Sequence, residues 1–156
     1  MLRTTIIIAA LLSANTAYAK DYYFAPSEET KTRGFIGLNW TFGANSGPEA
    51  VVGVARVKTK TDGDAHGAKA SLHFGLSNGI SFSKAKVVAV SGKYDRMGEF
   101  GFGYSAATRS ALVTIGAWAP YINLGGDFDF NGNFSGYIGA NSLKKWKKPG
   151  PVLTLD

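Results

Sequence analysis

From Arg33 to about Asn141 the chain alternates between apolar and small or polar residues with a period of two. Successive side chains of a strand point to opposite faces, so this rhythm predicts β-strands and no helix. In "GFIGLNWTFG", Ile36, Leu38, Trp40 and Phe42 form one face, and Gly37, Asn39 and Thr41 the other. In "AVVGVARVKTKT", Val51, Gly53, Ala55, Val57 and Thr59 form an uncharged face, which leaves Arg56, Lys58 and Lys60 on the opposite one. Eight strands are predicted, over about 34–43, 50–61, 67–77, 80–90, 98–107, 110–118, 121–130 and 134–141.

Turn chemistry sets the expected registers. Asn78-Gly79 suits a two-residue type I′ hairpin. It places Leu72 opposite Ala85 and Ala70 opposite Val87 on one face, and His73 opposite Lys84 and Ser71 opposite Lys86 on the other. A loop at Thr108-Arg109 predicts Tyr104 opposite Val113, Phe102 opposite Ile115 and Phe100 opposite Ala117. A three-residue turn over 131–133 predicts Phe130 opposite Phe134 and Leu124 opposite Ala140.

Eight antiparallel strands with two-sided patterning predict an all-β, up-and-down barrel, because closure removes exposed edges. Alternation does not decide which face points inward. Composition favours apolar residues outside. Charged residues are only 18% of the chain, with 20 glycines and 13% aromatics. The polar face is mostly Gly, Ser, Asn and Thr, which suits a cramped lumen better than a wetted surface. The expected lipid-facing set is Ile36, Leu38, Trp40, Phe42, Leu72, Phe74, Phe100, Phe102, Tyr104, Phe128 and Phe130.

The first nineteen residues, "MLRTTIIIAALLSANTAYA", read as an export signal. Arg3 precedes a short apolar run and Ala17-Tyr18-Ala19 is a small-x-small cleavage pattern. Residues 20–32 read as a polar lead-in with little structure, 33–142 as the barrel and 143–156 as a basic tail. There is no cysteine, so the exported domain is stabilised without disulfides. The net charge of +6 is dispersed, and export argues against nucleic acid as a partner. Anionic lipid headgroups fit better, and "LKKWKK" offers Lys144, Lys145, Trp146, Lys147 and Lys148 for them.

With this much in place, the chain resembles the small Gram-negative outer-membrane barrels of the eight-stranded OmpA and OmpX type. The resemblance covers the leader and residues 34–141 and rests on pattern, as in "GFIGLNWTFG" and "GEFGFGYSAATRSALVTIGAW". It implies an outer-membrane location and a structural or surface-interaction role. Two features depart from it. The sequence continues past the last strand through "LKKWKKPGPVLTLD" instead of ending that strand on an aromatic residue, and its loops are short. Short loops argue against a receptor or adhesin built from them.

Chemistry is sparse. His73 and Ser77 share a strand face but lie about 13 Å apart along it, too far for a nucleophile and its base. "HFGLSNG" has the wrong spacing for the His-x-Ser-Asn pattern of some outer-membrane lipid hydrolases. His66, near Asp62 and Asp64, fits a polar turn as well as a metal site, and no metal or cofactor is expected. Arg56, Lys58, Lys69, His73, Lys84 and Lys86 are predicted to face Glu99, Asp127 and Asp129 across the lumen as an ion-pair network. The expected protein is therefore a plugged, non-enzymatic outer-membrane barrel. A soluble periplasmic or secreted barrel that binds a small apolar ligand is one alternative, and an outer-membrane lipid hydrolase another. Oligomeric state is not legible.

Overall fold

The computed structural model describes residues 23–44 and 46–154. The expected export signal lies outside the described residues. The elements are β1 (Tyr23–Ala25), β2 (Glu28–Gly43), β3 (Gly47–Lys60), β4 (Asp64–Gly75), β5 (Ser81–Lys93), β6 (Arg96–Ser105), β7 (Ser110–Ala119), β8 (Ile122–Asp129), β9 (Phe134–Asn141) and β10 (Val152–Thr154). Strands β2 to β9 close into one antiparallel barrel in sequence order, while β1 and β10 pair separately.

The stagger of the barrel can be read from its ladders. Thr32 pairs with Arg56, then Ala68, Ala89, Phe100, Ile115, Gly126 and Gly136 follow, and the last pairs with Phe42. The circuit returns to β2 ten residues further along, from Thr32 to Phe42. Eight strands with such a stagger tilt by roughly 40° and leave an interior just wide enough for side chains. We call the end with the loops at 44–46, 76–80, 106–109 and 130–133 the upper end. The lower end carries the turns at 61–63, 94–95 and 120–121 and both terminal segments.

The faces follow the alternation. Ile36, Leu38, Trp40, Phe42, Leu72, Phe100, Phe102, Tyr104 and Phe128 are all exposed on the outer wall, and Phe130 is exposed in the upper loop after β8. Phe74 is also outside but half-buried, edge-on against Phe82. Val52, Val54, Val87, Ile115, Leu124 and Ile138 complete an outward apolar belt.

Strand β3 faces the opposite way from the sequence-based expectation. Val51, Ala55, Val57 and Thr59 are buried inside, and Arg56 and Lys58 project outward. Its stretch "AVVGVA" is apolar on both faces, so the charges further along dominated the pattern. Pairing decides instead: Ile36 is outside and sits opposite Val52. Arg56 and Lys58 then fall on the outer wall below the apolar belt, where Lys58 pairs with Glu28. The segment read as an unstructured lead-in also differs, because residues 28–32 begin β2 and pair with β3.

The hairpins keep their faces and adjust their registers. Below His73, β4 and β5 pair as predicted: Leu72 with Ala85, Ala70 with Val87, Ser71 with Lys86 and His73 with Lys84. Above it a bulge intervenes, and Phe74 pairs with Phe82. The two-residue type I′ turn does not form. Such a turn needs positive φ at both central residues, and Gly79 (φ +90°) has it while Asn78 does not. The next hairpin pairs Tyr104 with Ala111 and Phe102 with Val113, and the last pairs Phe128 with Phe134 and Leu124 with Ile138. Both are two residues from the expected register: the first loop spans four residues instead of two, and the last turn closes one residue earlier, with Asp129 N–H donating to the Asn133 carbonyl. An even shift preserves which side chains face inward.

Candidate functional site: the barrel interior and its floor

Two layers fill the lumen. The upper layer is ionic. Lys84 donates to Asp127 at 2.9 Å and lies 3.3 Å from Glu49, and Lys86 donates to Asp127 at 2.6 Å. Lys69 pairs with Glu99 nearer the barrel's middle. Three ammonium groups and three carboxylates thus oppose each other, and five of the six are at least nine-tenths buried. Breaking such a set by removing one member is costly, because it strands a buried charge. Lys86 also sits 4.0 Å over the Tyr137 ring.

Local backbone features aim these groups. The bulge after His73 turns both Ser83 and Lys84 toward the lumen, and Ser83 Oγ donates to Glu49 Oε1 at 2.6 Å. Bulges commonly redirect side chains in this way. Gly125 makes room for Tyr137, since a Cβ there would lie 2.6 Å from the phenol ring carbon Cζ.

His73 belongs to this layer, as expected, but through a different serine. Its Nε2 is 3.1 Å from Ser71 Oγ and its Nδ1 is 3.4 Å from Glu49 Oε2. With Nδ1–H donating to Glu49, Nε2 accepts the Ser71 hydroxyl. Ser77 is in the exposed upper loop. The order serine, histidine, carboxylate is that of a hydrolytic triad. Its setting offers a substrate no room. Ser71 and His73 are buried, and the cavity beside them measures about 30 Å³. That volume suits one or two waters, not an acyl chain.

The predicted network is therefore partly assembled. Lys69, His73, Lys84, Lys86, Glu99 and Asp127 come together inside. Arg56 and Lys58 do not, for the reason given above. Asp129 does not either: it caps the β8–β9 loop, accepting from the Asn131 and Asn133 backbone N–H groups at 3.0 and 2.8 Å. Sequence reasoning missed Glu49, which shares a face with Val51 and Gly53. The correct facing of β3 would have found it.

The lower layer is apolar. Phe35, Ala55, Val57, Ala65, Val90, Met97 and Trp118 pack with Leu143 and Trp146 from the tail. Trp146 is only 2% exposed, so it does not meet lipid headgroups as expected. It forms the floor of the barrel. Arg33 stacks 4.6 Å over its ring and donates to the Lys144 and Lys145 carbonyls. The Trp146 backbone N–H donates to the Tyr94 carbonyl at 2.8 Å, and the Tyr121 N–H donates to the Leu143 carbonyl at 3.0 Å. Lys144, Lys145, Lys147 and Lys148 point away from this floor and stay exposed.

Among the described residues no group of three or more His, Asp or Glu side chains gathers as a metal site. His66 is exposed on the outer wall, and Asp64 pairs with Lys93 instead. Comparison of the chain with protein-family models, curated proteins and solved structures finds no match.

Proposed function

We propose that this protein is a Gram-negative outer-membrane β-barrel, exported by its leader, with a sealed lumen and a structural or surface-interaction role. One observation carries the reading: the large apolar side chains stand on the outer wall while paired charges fill the interior. That inside-out distribution suits a wall solvated by lipid. It does not suit water, where a contiguous apolar belt of this size is an association hazard. The reading assigns no enzymatic step and no cofactor.

The alternative of a soluble barrel carrying an apolar ligand needs an apolar internal pocket. The lumen offers a charged layer with about 30 Å³ of space beside it, a packed floor, and at its upper mouth a mostly polar recess lined by Thr41, Glu49, Ser77 and Ser83. The hydrolase alternative draws on the chain from Ser71 through His73 to Glu49, and Ser71→Ala tests it: unchanged lipid composition of expressing cells removes it.

Fractionation after expression in a Gram-negative host tests the main reading. Retention in urea-washed outer membranes, with a gel shift on boiling, is the expected result. Release with the periplasmic fraction overturns it.

A further inference from the structure

Two recesses meet at the foot of the outer wall. The lower one, about 480 Å³, is lined by Arg33, Gly34, Tyr121, Ser142, Lys144 and Lys145 among others. The upper one is a shallow, open channel along Ile36, Leu38, Val52, Phe74 and Ala140. Ser142 lines both, and Gly34 and Ile36 are outward neighbours on β2, so the two are continuous. Three cations therefore sit directly below an apolar channel.

These cations lack acidic partners, although Arg33 Nη1 donates to the Lys144 and Lys145 carbonyls. Among the described residues Arg33, Lys144 and Lys145 have no carboxylate within 4.0 Å. Nearby, Tyr121 holds an unfavourable backbone, φ +69°. Positive φ at a bulky residue is strained and persists only where neighbours enforce it. Here Asn141 N–H donates to the Tyr121 carbonyl, and Tyr121 N–H donates to Leu143. The result is an exposed Tyr ring at the edge of the cationic recess, a residue type favoured at membrane interfaces.

We infer that the joined recesses bind one anionic glycerophospholipid. Its phosphate sits among Arg33, Lys144 and Lys145, and an acyl chain lies along Ile36, Leu38, Val52 and Ala140. The charge selects an anionic headgroup over a zwitterionic one, and the channel selects a lipid over a free phosphate. The site would mark the lower end of the barrel as the one facing a phospholipid leaflet. This inference rests on the membrane reading above.

The test reconstitutes the full barrel into phosphatidylcholine vesicles containing phosphatidylglycerol with the same acyl chains. Retained lipid is then counted by native mass spectrometry after mild detergent extraction. One phosphatidylglycerol per barrel is expected, retained in preference to phosphatidylcholine. Each lysine near an anionic surface contributes about fivefold, so Lys144→Ala with Lys145→Ala should lower retention about twenty-fivefold. Both side chains are exposed, which spares the fold; Arg33 is left intact because it also holds Trp146. Lys147→Ala with Lys148→Ala should have little effect, and Ala140→Trp should block the channel and reduce retention without removing charge. Equal retention of the two lipids, equal loss from both lysine pairs, or full competition by inorganic phosphate would overturn the inference. A barrel that fails to float with the vesicles overturns the membrane reading and this site with it. One that floats without lipid preference overturns the site alone.

Discussion

The upper and lower halves of the lumen solve one packing problem with different chemistry. Above, Lys84, Lys86, Asp127, Glu49 and His73 fill the space with directional contacts. Below, Phe35, Met97, Trp118 and Trp146 fill it as the core of a soluble protein would. A buried ionic layer is weak as a source of net stability but severe when broken. An apolar layer contributes in proportion to the area it removes from water. The lower half is thus expected to hold the barrel together, and the upper half to fix which strand faces which.

Substitutions can break that comparison, beginning with the largest effect. Asp127→Ala strands Lys86 and leaves Lys84 with Glu49 alone, and it should cost about 3–5 kcal/mol in denaturant unfolding of the reconstituted barrel. Trp146→Ala removes the floor and should cost about 3 kcal/mol, the low end for an aromatic truncation, since the mouth of a barrel can partly collapse. It should also speed access of small quenchers to Trp118. Glu99→Ala leaves only Lys69 without its partner and should cost about 2 kcal/mol. An unchanged stability would remove Glu99 from the network. The smallest net change is expected when the Lys84, Lys86, Asp127 and Glu49 cluster is replaced together, with Lys84→Met, Lys86→Met, Asp127→Leu and Glu49→Gln. Buried ionic sets exchanged for packed apolar groups often come out near neutral. A loss as large as that of Asp127→Ala alone would make the ionic layer the true source of stability and reverse the assignment of roles.

Much of the upper half was legible in the chain. The pairing of Ser71 with Lys86 and of His73 with Lys84 followed from alternation and the nearby Asn78-Gly79, even though the turn itself took another form. Register errors of two residues in later hairpins did no harm to the faces, because period-two patterning is blind to even shifts. Glu49 was hidden for a related reason. Its strand is apolar on both sides near Val51 and Val52, so only its pairing with β2 reveals the facing. The lower half was less legible. In "LKKWKK" the lysines dominate the reading, and nothing local says that Trp146 turns inward. Its partners Arg33 and Tyr94 come from separate stretches of chain and meet it only in the folded barrel.

That last fact bears on the order of events during folding. The floor is held by a hydrogen bond to Tyr94 of the β5–β6 turn, another from Tyr121 of the β7–β8 turn, and a reciprocal pair between Ser142 and Ile36 of β2. The Tyr121 bond extends the β8–β9 ladder, whereas the Ser142–Ile36 pair forms only after the first and last barrel strands have met, and Tyr94 belongs to a hairpin that does not adjoin β9. The tail can therefore act as a latch that engages late, setting the rate of unfolding more than the rate of folding. A barrel without its latch would form at nearly the normal speed and come apart sooner.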